Sequence, residues 1–149
     1  MPLQEDTKTV KCDNVFQQAA INITTNHHWY NNQMRDKLTP YDMTVQQYHV
    51  LRILQQQFPR PATINMIKNR MLDKMSDASR IVERLIQKGL VLKSNNQSDR
   101  RATDIHLSPS GQELLAEVAT MPITEHLIAT KLTEEEATQL NVLLEKLRS

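Results

Sequence analysis

The chain has 149 residues, of which 39% are hydrophobic and 23% are charged, and its formal net charge is +1 at pH 7. This composition argues against a disordered or membrane-embedded protein, and the length fits a single domain over residues 1–149. No apolar run approaches the roughly 20 residues of a membrane span, and the polar residues 4–6 argue against a secretory signal, so we expect a cytoplasmic protein with no membrane partner.

Glycine and cysteine are scarce, with two glycines and one cysteine in the chain. The single Cys12 excludes an intramolecular disulfide and a cysteine-rich zinc site. Two glycines cannot supply the phosphate-binding loops or the nucleophile elbow of common enzyme classes, and no two histidines have the i, i+4 spacing of a helical metal site. We therefore expect that the chain is not an enzyme and holds neither a cofactor nor a metal ion.

The positive charge is concentrated in the middle of the chain. Residues 60–108 hold ten Lys and Arg against five Asp and Glu, a net charge of +5, whereas residues 1–59 are neutral and residues 109–149 have a net charge of −4. A basic segment between neutral and acidic ones indicates a face that binds a polyanion. A basic face that is merely solvated explains the same charges, so both interpretations stay open here.

The first predicted helix covers residues 9–38. Its apolar and aromatic positions recur at alternating intervals of four and three residues and form one stripe. These positions are Phe16, Ala20, Ile23, His27, Tyr30 and Met34. Such a stripe must be buried against the core or against a second copy of the chain. Pro40 ends the helix because it disfavours helical geometry at the residue before it.

Three further helices are predicted from their N-caps. Thr44 with Gln47 forms a capping box, Thr63 caps a short helix, and Ser76 caps the next one. Gly89 is expected in the left-handed conformation that ends a helix. Two helices joined by a short turn, the second with basic residues on its polar face, are typical of a helix-turn-helix.

A β-hairpin follows the third of these helices. Residues 90–93 and 103–107 read as strands, and the tip between them is wholly polar and ends in Arg100 and Arg101. A hairpin with a long polar tip that carries arginines has the form of a wing.

The C-terminal part is predicted to be helical. Ser108 and Pro109 suit the N-cap and the first position of a helix, and Pro122 is expected to kink or break it. Thr133 and Glu136 form a second capping box, which begins the last helix.

Four segments resemble the MarR family of bacterial transcription regulators. They are SRIVERL at 79–85, KGLV at 88–91, SDRR at 98–101 and LSPSG at 107–111. The resemblance implies a mainly α fold with a small β-hairpin wing, in which residues 44–107 form a winged helix-turn-helix lobe and residues 9–38 and 109–149 form dimerisation helices. It implies a homodimer on double-stranded DNA, with the helix of residues 76–88 in the major groove and the wing in the minor groove.

The resemblance also implies which residues contact DNA. Ser79, Arg80 and Arg84 look like the base contacts of the recognition helix. Arg101 looks like the minor-groove arginine of the wing, oriented by Asp99. Arg100 and Lys93 look like phosphate contacts. The full predicted DNA-binding set is Ser76, Ser79, Arg80, Arg84, Lys93, Asp99, Arg100 and Arg101. One departure is that the turn at residues 72–75 lacks the small residue or glycine found in many members of the family.

A small-molecule effector is a further implication of the resemblance, because members of this family often bind aromatic or lipophilic acids between the dimer helices and the DNA-binding lobe. The residues expected near such a site are His27, Trp29, Tyr30, Tyr48 and His49. The alternative is that these side chains are ordinary core or interface aromatics. Some members detect peroxides through a cysteine in the first helix, but Cys12 comes about two turns too early for that role.

The sequence therefore predicts a sequence-specific transcription regulator that acts as a homodimer, and a repressor rather than an activator. The alternative is a winged-helix module for protein–protein interaction that binds no specific DNA. The salt dependence of duplex binding distinguishes the two, because release of counterions makes DNA affinity fall steeply with salt.

Overall fold

A computed structural model describes residues 11–119 and 123–149, which form a mainly α fold with one antiparallel β-hairpin. The elements in chain order are α1 (Val15–Leu38), a 3₁₀ turn (Thr39–Tyr41), α2 (Val45–Gln57), α3 (Ile64–Arg70), α4 (Ala78–Gln87), β1 (Val91–Asn95), β2 (Thr103–Leu107), α5 (Pro109–Ala119), α6 (Ile123–Ala129) and α7 (Glu134–Arg148). None of the described helices is long and apolar enough to cross a membrane.

The chain divides into two compact units, one that ends at Gln33 and one that begins at Met34. The first unit contains most of α1, which begins later than predicted. Asn14 Oδ1 accepts hydrogen bonds from the main-chain N–H groups of Phe16 and Gln17, both at 3.0 Å. Residues 11–14 are therefore not helical, since Asn14 acts as the cap, and residues 9 and 10 lie outside the described part of the chain.

The second unit contains the hydrophobic core. Its largest fully buried side chains come from the C-terminal end of α1, from each of the helices α2, α3, α4 and α5, and from both strands. They are Met34, Leu38, Val50, Leu51, Ile67, Leu85, Val91, Ile105, Leu115 and Val118. Burial of these side chains is the main favourable term that holds the helices around the hairpin.

The predicted capping boxes of α2 and α7 are confirmed. Thr44 Oγ1 accepts from the main-chain N–H of Gln47 at 3.1 Å, and the Gln47 side chain accepts from the Thr44 N–H at 3.1 Å. Thr133 and Glu136 form the same reciprocal pair at 3.0 and 3.2 Å. Thr63 caps α3 as predicted, through the N–H of Met66.

The predicted N-cap of α4 was wrong. Asp77, not Ser76, occupies this position, and its carboxylate accepts from the main-chain N–H of Arg80 at 3.2 Å. The Ser76 N–H instead donates to the main-chain carbonyl of Asp73 at 3.2 Å. Both side chains are good caps, and the preceding turn keeps Ser76 outside the helix.

The wing is the hairpin of β1, β2 and the tip between them, residues 91–107. Its register pairs Val91 with Leu107 and Asn95 with Thr103. Ile105 also exchanges two main-chain hydrogen bonds with Ala62, at 3.0 and 2.8 Å. The base of the wing is therefore fixed to the segment that precedes α3.

Hydrogen bonds connect the turn that ends α4 to the first turn of α5. Gly89 has a φ of 74°, as predicted, and the N–H groups of Gly89 and Leu90 donate to the carbonyls of Ile86 and Leu85, which is the pattern of a Schellman motif. Ser108 Oγ donates to the Gly89 carbonyl at 2.6 Å and accepts from the Gly111 N–H at 3.0 Å. One serine thus caps α5 and holds it against the turn that ends α4.

Helix α5 begins at Pro109 as predicted and ends at Ala119. The predicted break at Pro122 falls outside the described residues, and α6 begins at Ile123.

Candidate nucleic-acid interface

Helix α4 has one buried face and one exposed polar face. Ala78, Val82 and Leu85 are buried in the core, and their spacing leaves a continuous strip of the helix in solvent. The side chains of this strip are Ser79, Arg80, Glu83, Arg84 and Gln87, all exposed. The helix is therefore fixed by its apolar side and presents its basic side outward.

Arg80 and Arg84 lie one turn apart on the exposed strip. Among the residues that the structure describes, neither guanidinium takes part in an ion pair, whereas the carboxylate of Asp77 is bound to the main chain of its own helix. Guanidinium groups in this state can donate pairs of hydrogen bonds to guanine O6 and N7 or to phosphate. Ser79 is exposed beside them, and Ser76 is half-buried before the helix begins.

The tip of the wing is ordered by two polar side chains. Asn96 Oδ1 accepts from the main-chain N–H groups of Ser98 and Asp99 at 2.8 and 2.9 Å, and Asn96 Nδ2 donates to Asp104 at 2.8 Å. Asp99 Oδ1 accepts from the main-chain N–H of Arg101 at 3.0 Å. Asn96 was not among the predicted site residues, although Asn three residues before Asp in a polar loop is a turn signal.

Asp99 therefore contacts Arg101 through the backbone. The carboxylate fixes the conformation of the tip, while the side chains of Arg100 and Arg101 are exposed. This arrangement leaves both guanidinium groups available to a ligand.

Lys93 connects the wing to α4. Its Nζ lies 4.0 Å from Glu83 Oε2, and both side chains are more than half exposed. An exposed ion pair at this distance contributes little to stability and is screened by salt. The ammonium group is thus accessible to a phosphate, although Glu83 partly neutralises it.

Lys88 has a different environment from the other basic residues of the central segment. Its Nζ donates to the main-chain carbonyl of Asp42, lies 3.6 Å from Asp42 Oδ2, and donates to the side chain of Gln47 at 3.2 Å. Asp42 is a non-glycine residue with a positive φ of 52°. Lys88 thereby ties the C-terminal end of α4 to the turn before α2, a long-range contact that no local pattern signals.

The predicted ligand-binding residues fall in both units. His27, Trp29 and Tyr30 lie on α1 in the first unit, and His27 Nε2 is 3.1 Å from Asn31 Nδ2. Tyr48 and His49 lie on α2 in the second unit, where their ring centroids are 6.2 Å apart. Burial lowers the pKa of His49 below its ordinary value of 6.5. Their role as an effector site stays a prediction.

Within residues 11–119 and 123–149, no group of three or more His, Cys, Asp or Glu side chains is placed to hold a metal ion. Cys12 is a free thiol in the first unit.

Comparison with known proteins supports the assignment of the winged-helix segment. The model of the MarR family matches residues 43–103. The resemblance to the MarR family is confirmed. The matched residues include the whole of α2, α3, α4 and β1, together with the tip of the wing. No curated protein sequence matches the chain.

Several solved protein structures have the same fold as this chain. A mutant of MarR from E. coli in complex with operator DNA matches with a TM-score of 0.77 at 22% identity, over 93% of this chain and 99% of that one. The MepR–DNA complex of S. aureus matches with a TM-score of 0.77 at 24% identity, over 86% and 94% of the two chains. BpsR of Bordetella bronchiseptica, a protein whose DNA binding is regulated by 6-hydroxynicotinic acid, matches with a TM-score of 0.71 at 20% identity, over 89% and 99%. The predicted fold class, a mainly α winged helix-turn-helix with a small β-hairpin wing, is therefore confirmed.

Proposed function

We propose that this protein is a sequence-specific regulator of transcription that binds double-stranded DNA as a homodimer and acts as a repressor. The observation that carries the proposal is the exposed strip of α4, where Arg80 and Arg84 are free of ion pairs within the described residues. Helix α4 would enter the major groove, and the arginines of the wing would enter the adjacent minor groove, whose negative potential attracts them. This role places the protein in the cytoplasm and requires no catalytic step.

Exposed apolar side chains support the homodimer. Phe16 on α1 is 83% exposed and Leu147 on α7 is 69% exposed, and Leu140 and Leu143 of α7 are exposed as well. Such stripes are costly in water and are usually covered in an assembly. In a twofold dimer each half-site of a pseudo-palindrome would meet one copy of α4, with the half-sites about one helical turn apart.

The exposed arginines and lysines are expected to divide into two roles. Arg84 would read bases, so Arg84→Ala should cost about 1–3 kcal/mol on the preferred sequence and much less on random DNA. Lys93 would contact phosphate, so Lys93→Ala should weaken binding to every sequence alike and reduce the salt dependence. Its effect should be small, because Glu83 already offsets part of the charge.

The test begins with selection of bound fragments from random duplex DNA, followed by measurement of affinity on the selected and on a scrambled duplex between about 50 and 200 mM salt. The proposal requires a steep fall of affinity with salt and a preference for the selected duplex. Equal losses on both duplexes for Arg84→Ala would refute the base-reading role. Absence of salt-dependent duplex binding would instead favour a winged-helix module for protein–protein interaction.

Release from DNA by an aromatic or lipophilic acid is part of the proposal. The regulation of BpsR by 6-hydroxynicotinic acid supports it. The residues predicted for the effector are His27, Trp29, Tyr30, Tyr48 and His49. Trp29 is partly exposed, so its fluorescence is a direct probe for a panel of aromatic carboxylates. A panel that changes neither the emission nor the DNA affinity would refute effector control by this class of ligand.

A further inference from the structure

The turn between α3 and α4 exposes two large apolar side chains. Met71 is buried, with 2% of its surface exposed, but Leu72 is 80% exposed and Met75 is 92% exposed. From the sequence, only the absence of glycine distinguished this turn. Leu72 and Met75 are three positions apart, and together we call them the apolar patch of this turn. The turn leads into α4, the helix that we assign to the major groove.

The conformation of this turn is fixed by its polar residues. Asp73 Oδ1 accepts from the main-chain N–H of Met75 at 2.9 Å, and the Asp73 carbonyl accepts from the N–H of Ser76. Lys74 Nζ donates to the main-chain carbonyl of Asn69. An aspartate that binds the backbone two residues on takes the place of the usual small residue. Met75 is therefore held outside the core by a defined turn.

The basic segment of the chain that contains this turn points to a polyanionic partner. Lys68, Arg70 and Lys74 precede Met75, and Arg80 follows it. The nearest acidic side chains, Asp73 and Asp77, each accept a main-chain hydrogen bond. An exposed apolar side chain in a basic segment of the chain fits a polyanion that also carries apolar groups. In the major groove of DNA that group is the C5-methyl of thymine.

We infer that Met75 is a specificity-determining residue that contacts the C5-methyl group of a thymine in each half-site. The inference rests on the proposed DNA binding by α4. Met75 stands two residues before the N-cap of α4, and the N-terminal part of a recognition helix is the part that faces base edges. The flexible, polarisable thioether adapts to the shape of a methyl group.

The test removes single methyl groups from the DNA. Each thymine of the selected duplex is replaced in turn by deoxyuridine, and the affinity of the full chain is measured by fluorescence anisotropy. For the wild-type protein, one position in each half-site should lose about fourfold in affinity, the expected effect of one buried methyl group. For Met75→Ala, the same replacement should have no effect. Binding of this variant to the unmodified duplex should already be weaker by about sixteenfold, because the substitution removes the contact in both half-sites.

Leu72→Ala is the matched control, because it removes an exposed apolar side chain from the same turn. It should keep the full sensitivity to deoxyuridine at the position that depends on Met75. The inference is overturned if the deoxyuridine losses are the same in the wild type and Met75→Ala, or if Leu72→Ala abolishes them instead. Unchanged affinity of Met75→Ala would assign the patch to another partner, such as a protein, and would also overturn it. If the wild type binds no duplex at all, the proposed function fails, and the inference fails with it.

Discussion

Substitution of Gly111 by alanine tests how α4 is connected to the rest of the second unit. A Cβ atom at Gly111 would lie 2.2 Å from the carbonyl oxygen of Leu90, 3.2 Å from its carbonyl carbon and 3.4 Å from Leu107 Cδ2. The carbonyl oxygen of Leu90 cannot move away easily, because two hydrogen bonds fix the main chain at this residue. The Leu90 carbonyl accepts from the Ser108 N–H at 3.0 Å, and the Leu90 N–H completes the turn that ends α4.

Two opposite effects decide the sign of the change in stability. Alanine is favoured over glycine within a helix by up to about 1 kcal/mol. Forcing an extra methyl group into a packed site costs about 1–3 kcal/mol, and occasionally more. The short distance to a backbone atom favours the upper part of that range, so we expect a net loss of about 2 kcal/mol. For a chain of this length such a loss lowers Tm by about 4–8 °C.

The measurement is urea unfolding followed by far-ultraviolet circular dichroism, with Gly89 as the matched position. A Cβ atom at Gly89 would meet nothing within 4 Å, but the residue has a φ of 74°, so Gly89→Ala should cost about 1–2 kcal/mol for conformational reasons alone. Asparagine tolerates this conformation, so Gly89→Asn should recover part of the loss. Gly111→Asn should recover nothing. The reasoning is refuted if Gly111→Ala is as stable as the wild type or more stable.

Three other predictions concern single side chains. Lys88→Met should lower the free energy of unfolding by about 1 kcal/mol through loss of the hydrogen bond to Asp42, and an unchanged urea midpoint would contradict the role of this contact. Asp99→Ala should weaken DNA binding, because the main-chain N–H of Arg101 loses its acceptor. Asp99→Asn keeps an acceptor and removes a charge that repels phosphate, so this variant should bind DNA more tightly. Tighter binding by both variants would show that charge alone matters. The pKa of His49 is lowered in the folded protein, so the unfolded chain binds the His49 proton more strongly and wild-type stability should fall as the pH drops below 6.5. The urea midpoint of His49→Gln should fall less over the same pH range, and parallel curves for the two proteins would refute this.

The parts of the fold that the sequence predicted correctly depend on neighbouring residues. The capping boxes at Thr44 and Thr133, the left-handed Gly89 and the helix start at Pro109 each follow from a rule that acts within about one helical turn. The N-cap of α4 was missed for the same reason. Two adjacent good caps compete there, and the choice between Ser76 and Asp77 depends on how the preceding turn is fixed.

The parts that could not be predicted depend on contacts across the sequence. Asp42 and Lys88 are 46 residues apart, no sequence pattern pairs them, and a lysine at a helix C-terminus is already explained by the helix dipole. In the same way, composition marks Arg84 and Lys93 as basic but does not show that Glu83 of α4 lies 4.0 Å from Lys93 of the wing. The exposure of Met75 required the structure, since methionine is more often buried.

These contacts also limit how the proposed DNA binding could be regulated. Helix α4 is fixed at its C-terminal end by the Gly89 turn with Ser108 and by Lys88, which binds Asp42. Tilting α4 alone would break these hydrogen bonds and expose Val82 and Leu85. A shift of the lobe as one body breaks none of them. In the proposed dimer, an effector would therefore control DNA affinity most readily by changing the separation of the two winged-helix lobes, with α4 and the wing unchanged within each.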